Sequence, residues 1–275
     1  MINGLSNIFL YSAKRIVTYW DTNQGIISLE GTGFFISKGD NIYLITNRHV
    51  AELAYAYPKY NGAVLIKFLI EGYESVEEGE LPSKYSTIPI SNFNDFVVHP
   101  NDSNDIACLK DPKCNLDNSE TSSISLPIDY EMLATNEDFN TKLIVCDRIA
   151  YPGFPEWYDK KNKTPIFRMG TIASDPRVGY SLFSNAPDAD CVAYEGFSTN
   201  GASGSPVFAV QRGFSVGKGI NAPEGFYRPV MLVGINAGHF LDEDKHHSGI
   251  SYFFKSSAII DVINLSNTKD KGESI

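Results

Sequence analysis

Only four cysteines, Cys108, Cys114, Cys146 and Cys191, occur in the 275 residues. So few thiols, scattered through unlike contexts, do not make a disulfide framework, and they are expected as buried or incidental side chains. Basic residues are outnumbered, 23 lysines and arginines against 33 aspartates and glutamates, for a net charge of −10. That balance speaks against non-specific nucleic-acid binding. There is no run of about 18 apolar residues, so no membrane span is expected. The opening MINGLSNIFLYSAKRIVTYW lacks a basic stretch followed by an unbroken apolar one and does not read as a secretory leader. With Met1 in place, the expected location is cytoplasmic. Repeats, heptads and low-complexity tracts are absent. His246 and His247, in DEDKHHSG, have no further ligands at metal-binding spacing, so a charged loop is expected there and no metal or organic cofactor.

What the chain does have is β pattern. Runs of four to eight apolar or β-branched residues bounded by turn signals occur at RIVTYW (15–20), GTGFFIS (31–37), NIYLIT (41–46), AVLIKFLI (63–70), DFVVH (95–99), DIACLK (105–110), KLIVCD (142–147), TIAS (171–174), SPVFAV (205–210), PVMLVGIN (229–236) and ISYFF (250–254). Their number and spacing predict an all-β, closed antiparallel architecture, because closure removes unpaired strand edges. Helical signals are few: HVAELAYA (49–56), and SSAIIDVINL near the end, with a serine placed as N-cap. The polar segment 111–125 reads as a linker, dividing the chain into 1–120 and 121–275. The final LSNTKDKGESI (265–275) reads as a frayed tail.

Three residues stand at the ends of β runs. His49 follows NIYLIT, Asp105 opens DIACLK, and Ser203 lies in STNGASGSPVF. Each alone has an ordinary reading as a strand-end, turn or loop residue. Together they supply what acyl transfer needs. A serine hydroxyl is a poor nucleophile without an adjacent base. Imidazole can take its proton near neutral pH, and a carboxylate fixes the imidazole tautomer. The order His, Asp, Ser is that of the chymotrypsin arrangement. The first two lie in the amino-terminal half and the serine in the other, so the site is expected between the halves. The small residues around Ser203 then have a purpose: Gly201 can turn its N–H inward, and with the N–H of Ser203 it would form an oxyanion hole.

GTGFFIS with LITNRHV, HP with NDIACLK, YPGFP with MGTIAS, NGASGSPVF and LVGINAG, in that order, resemble the segments of a trypsin-like serine peptidase of the bacterial HtrA and glutamyl endopeptidase branch. The similarity spans roughly residues 28–262. It implies two six-stranded antiparallel β-barrels with a short C-terminal helix and the site in the cleft between them. The implied activity is a serine endopeptidase acting on protein or peptide substrates. By the same resemblance Phe197, Ser198, Asn236, Gly238, His239 and Gly249 would line the substrate pocket. Phe197 and Ser198 are not acidic, and Asn236 stands where glutamyl endopeptidases carry a histidine, so a neutral or apolar pocket is expected. Ala202 replaces the aspartate that pairs with a newly cut amino terminus in the trypsin group, so activation by trimming is not expected. The long segment 211–229 is a candidate handle for a regulatory protein. The rival reading is a catalytically silent, protease-like barrel serving as a binding module.

Overall fold

The computed structural model describes residues 5–77, 79–114, 126–181, 185, 188–214 and 226–269. After a short helix α1 (Asn7–Tyr11), the alternating run from Ala13 folds back on itself at Asn23 and Gln24. Gly25, at φ +107°, completes this turn between β1 (Ala13–Thr22) and β2 (Gly25–Lys38). β2 begins half-exposed and ends as a continuous buried run from Gly31 to Ile36, because its second half lies against the other half of the molecule. β3 (Asn41–Thr46) follows, then the single helical turns α2 (Arg48–Ala51) and α3 (Leu53–Ala56). β4 (Val64–Ser75), β5 (Ser83–Ile90), β6 (Val97–Val98) and β7 (Ala107–Lys110) complete the amino-terminal unit, and β8 (Ile128–Asp129) adds to β2 in parallel.

Beyond α4 (Asn136–Thr141) come β9 (Arg148–Gly153), β10 (Ile166–Ile172), β11 (Cys191–Glu195), β12 (Pro206–Ala209), β13 (Met231–Leu241), β14 (His247–Lys255) and α5 (Ser256–Lys269). These six strands close into a barrel in the order β10-β11-β14-β13-β12-β9. The amino-terminal strands form an eight-stranded sheet, β5-β4-β1-β2-β3-β7-β6 with β8 on β2, that does not close. One closed six-stranded barrel is therefore present where two were expected. The seam stays open because residues 93–95 turn as a 3-10 helix and leave β6 two residues, both paired to β7. Ile90 at the end of β5 bridges to Cys114 instead. The sheet still curls around its own core of Ile16, Leu44, Phe68, Ile70 and Leu109.

KLIVCD, read as a strand, is a turn. The Thr135–Asp138 capping box nucleates α4 just before it, and Cys146, at φ +69°, breaks the extended run. Most of the other runs recur inside strands, while β5, β8, β9 and β11 were not read as strands. The C-terminal helix starts at Ser256, but its two leading serines do not cap it. The Ser256 hydroxyl donates to the Ala134 carbonyl at 2.6 Å, and the Ser257 hydroxyl is buried without a partner. The predicted tail is helical as far as Lys269, held by the Tyr43 hydroxyl donating to Asn267 Oδ1 at 2.8 Å. α5 lays Ala258, Ile259, Val262 and Ile263 into a cluster shared with Ile36, Ile45 and Cys108 of the sheet and Phe208, Leu232 and Phe254 of the barrel. Burying such side chains contributes roughly 1.5–3 kcal/mol each, and here that gain joins the two halves. Residues 115–125 of the linker, 215–225 of the long segment and 270–275 lie outside the described residues. No helix among the described residues is long and apolar enough to cross a membrane.

Candidate active site

β3 delivers His49. Its last residue, Thr46, is followed by the buried Asn47, whose side-chain amide donates to the Asp105 carbonyl at 2.7 Å, and α2 then lifts His49 to the surface. Asp105 comes from the 101–106 loop, which is tied on both sides. Arg48 bonds Asp102 at 2.7 Å and Glu52 at 2.6 Å, and its guanidinium lies over Tyr55, whose hydroxyl donates to the Asp102 carbonyl. Asn104 reaches the other half, donating to Asp190 Oδ2 at 3.1 Å and accepting from the Asp190 N–H at 2.9 Å. Held there, the Asp105 carboxylate takes His49 at two points: Oδ2 lies 2.6 Å from Nδ1, and Oδ1 accepts the His49 backbone N–H at 2.9 Å. The Tyr55 and Tyr252 hydroxyls are both pushed up to about 12, chiefly by burial, with the Asp105 charge adding to the effect.

Ser203 follows a tight turn. The Ala202 N–H donates to the Thr199 carbonyl at 3.0 Å, and Gly201, third of the four turn residues, has φ +87°. A positive φ at that place is the mark of a type II turn. In this conformation the Gly201 and Ser203 amides have no protein acceptor among the described residues, and both residues line one cavity with His49. A Cβ on Gly201 would run into the Phe154 carbonyl, and one on Gly204 into the Thr32 carbonyl, so backbone alone fits this close approach. The Ser203 hydroxyl donates to the Ala237 carbonyl at 3.2 Å and makes no hydrogen bond with His49. Ser205, two residues on, is buried with an unpartnered hydroxyl and leads into β12.

The cavity beside Ser203 has a volume of about 590 Å3 and a mixed wall, with the charged Arg15, Glu30, Glu156 and Lys160 beside apolar and aromatic side chains such as Val50 and Phe154. Among the pocket candidates, Ser198 and Asn236 are brought together but are fully occupied. The Asn236 side chain donates to Ser198 Oγ at 2.7 Å and to the Ala202 carbonyl at 2.9 Å, and accepts the Tyr194 hydroxyl at 2.7 Å. Both its donors are used, so it braces the serine loop from beneath. Phe197 is exposed and packs on His247, whose ring stacks at 4.5 Å on His239. His247, read as part of a charged loop, turns inward. Its Nδ1 accepts the Gly249 N–H at 2.8 Å, and its Nε2 lies 3.3 Å from Ser251 Oγ. Burial pulls both imidazoles down, His247 also through its neighbour His239. Gly238 is small because Tyr252 stands beside it, and Gly249 because its φ is +87°. Sequence reasoning missed Thr32, Asn47, Asn104 and His247. Of these only Thr32 carried a signal, as the one bulkier residue between Gly31 and Gly33. No cluster of metal-ligating side chains occurs among the described residues.

A mostly β chain whose closed barrel and curled sheet bring a histidine, a carboxylate and a loop serine to one cleft has the design of a chymotrypsin-like domain. The chain belongs to the trypsin-like peptidases: the model of the trypsin-like peptidase domain matches residues 31–217, more than half of its length. No curated protein matches it.

Proposed function

We propose that the chain is a serine endopeptidase in which Ser203 attacks the scissile carbonyl, His49 takes its proton and returns it to the leaving amine, and Asp105 orients His49. The observation that carries this reading is the two-point hold of Asp105 on His49, ring and backbone together. That hold leaves the proton on Nδ1 and the lone pair on Nε2, the form a general base needs. The amides of Gly201 and Ser203 receive the charge that develops on the carbonyl oxygen. When that intermediate collapses the C–N bond breaks, the acyl group stays behind as an ester of Ser203 Oγ, and attack by water then releases it as the acid. To Phe197, Ser198, Asn236, Gly238, His239 and Gly249 we assign the wall on the acyl side, Ser198 and Asn236 by bracing rather than by contact. None of the six lines the cavity shared by His49 and Ser203, and Phe197 and Gly249 line a separate pocket. The four cysteines are unpaired, which suits a reducing, cytoplasmic setting. Within the family we place the chain near the HtrA and glutamyl endopeptidase branch.

A second reading has its own observation. The Ser203 hydroxyl donates to Ala237 rather than to His49, so the resting nucleophile is turned from its base. A protein partner acting through the 211–229 segment would re-aim it. A silent binding module is the remaining alternative. Intact-mass analysis after treatment with a fluorophosphonate, on wild type and Ser203→Ala, separates these. One adduct on wild type, absent from Ser203→Ala, supports the peptidase; no adduct on either rejects an active free enzyme.

A further inference from the structure

The peptidase reading leaves unexplained a residue that touches neither Asp105 nor the His49 ring and yet makes four bonds at the seam between the halves. Thr32, fully buried on β2, donates its N–H to the Ser203 carbonyl at 2.8 Å and its hydroxyl to the Gly201 carbonyl at 2.7 Å. The same hydroxyl accepts the Phe154 N–H at 3.2 Å, and the Thr32 carbonyl accepts the Thr46 hydroxyl at 2.8 Å.

We propose that Thr32 is a positioning residue for the oxyanion site, clamping the nucleophile loop of the barrel to the strand system that carries His49. The two carbonyls it holds belong to the peptide units 201–202 and 203–204, which flank the unit bearing the Ser203 N–H. Fixing alternate units leaves the intervening one little freedom. The unit 201–202 is held at its other end too, by the Ala202 N–H on Thr199, so the Gly201 N–H can swing only about its own φ and the preceding ψ. Phe154, drawn in by the same hydroxyl, places its carbonyl where a Cβ of Gly201 would stand and closes the remaining space. On the other side Thr46 lies three residues before His49 on the same strand end. One residue thus ties both sides, its hydroxyl holding Gly201 and Phe154 and its backbone holding Ser203 and Thr46. A β-branched hydroxyl residue is what the place demands: the methyl restricts χ1, and the oxygen both donates and accepts.

This inference rests on the peptidase reading, and its test keeps the two apart. Thr32→Val keeps the shape and both backbone bonds but removes the hydroxyl; Thr32→Ser restores it. With a fluorophosphonate, whose phosphoryl oxygen takes the oxyanion position, the maximal labelling rate of Thr32→Val should fall about tenfold or more, on the scale of a weakened oxyanion donor. The concentration for half-maximal rate should stay unchanged, and Thr32→Ser should return to near the wild-type rate. Equal maximal rates for Val and wild type, or equal losses for Val and Ser, overturn the proposal. If wild type itself takes no label, the reading of an active free enzyme fails. Crystal structures of wild type and Thr32→Val then decide: displacement of residues 201–203 upholds the clamp, and an unmoved loop rejects it.

Discussion

Asp105 binds His49 through both carboxylate oxygens, one on the ring and one on the backbone, 2.6 and 2.9 Å away. A single aspartate thus fixes where the histidine sits and which ring nitrogen carries the proton. Asp105→Asn keeps an oxygen for the backbone N–H but sets an NH2 group against Nδ1. The imidazole then holds its proton on Nε2 and cannot accept one from Ser203. The expected result is a fall of about 10⁴ in fluorophosphonate labelling rate, the scale known for a wrong histidine tautomer, with thermal stability little changed. Labelling at the wild-type rate would remove Asp105 from the mechanism.

Gly201→Ala tests the serine turn. The added methyl meets the Phe154 carbonyl, and the residue must hold φ +87°, which a Cβ disfavours. The turn is expected to leave the type II form and withdraw one donor from the cleft. The expected loss in labelling rate is roughly 10² to 10³, while the cleft still admits ligand. An unimpaired rate would mean that the Gly201 amide takes no part.

Asn236 ties three buried groups together: the Tyr194 hydroxyl, Ser198 Oγ and the Ala202 carbonyl. Asn236→Leu fits by size but strands all three. Leaving a buried polar group unpaired costs about 1–3 kcal/mol, so a loss of roughly 3 kcal/mol or more is expected in urea unfolding. A stability equal to wild type would show that water replaces the amide.

The residues of the candidate site were legible because each must stand at a strand end with small or turn-forming neighbours. His49 after NIYLIT and Ser203 within NGASGSP are cases where local pattern and chemical need coincide. The contacts made by the supports were not legible, even where, as at Thr32 between Gly31 and Gly33, the residue itself stood out. Asn104 meets Asp190 and Thr32 meets Gly201 across 86 and 169 residues, and no local period encodes such a meeting. The open edge of the first sheet was hidden for a similar reason. DFVVH has strand composition, yet the 3-10 turn at Phe93–Asp95 takes up the chain that closure would need. His247 was misread because the run DEDKHHSG signals solvent, whereas the strand pleat turns one of its two histidines onto Phe197 and His239.

Lys14 makes stability depend on pH. It shares a face of β1 with Ile16, is 1% exposed, and donates from Nζ to the Tyr11 carbonyl at 2.6 Å. Burial pulls its ammonium down to about 7 from the usual 10.5. The folded state therefore resists a proton that the unfolded chain accepts. Its cost is full below pH 7 and fades as pH rises from 7 to 10.5, a range where the unfolded state binds more protons and stability climbs. Tyr11, whose backbone carbonyl takes the Lys14 ammonium, is itself raised above the usual tyrosine value by burial and by Tyr73. Lys14→Met fills similar space without charge, at a cost of about 1 kcal/mol for the lost bond to Tyr11. The variant should exceed wild type by roughly 3 kcal/mol at pH 6, with the gap closing by pH 10. Urea unfolding at pH 6, 8 and 10 measures it. A gap that does not change with pH would mean that Lys14 keeps its charge in the folded protein, with water or the nearby tyrosines solvating it.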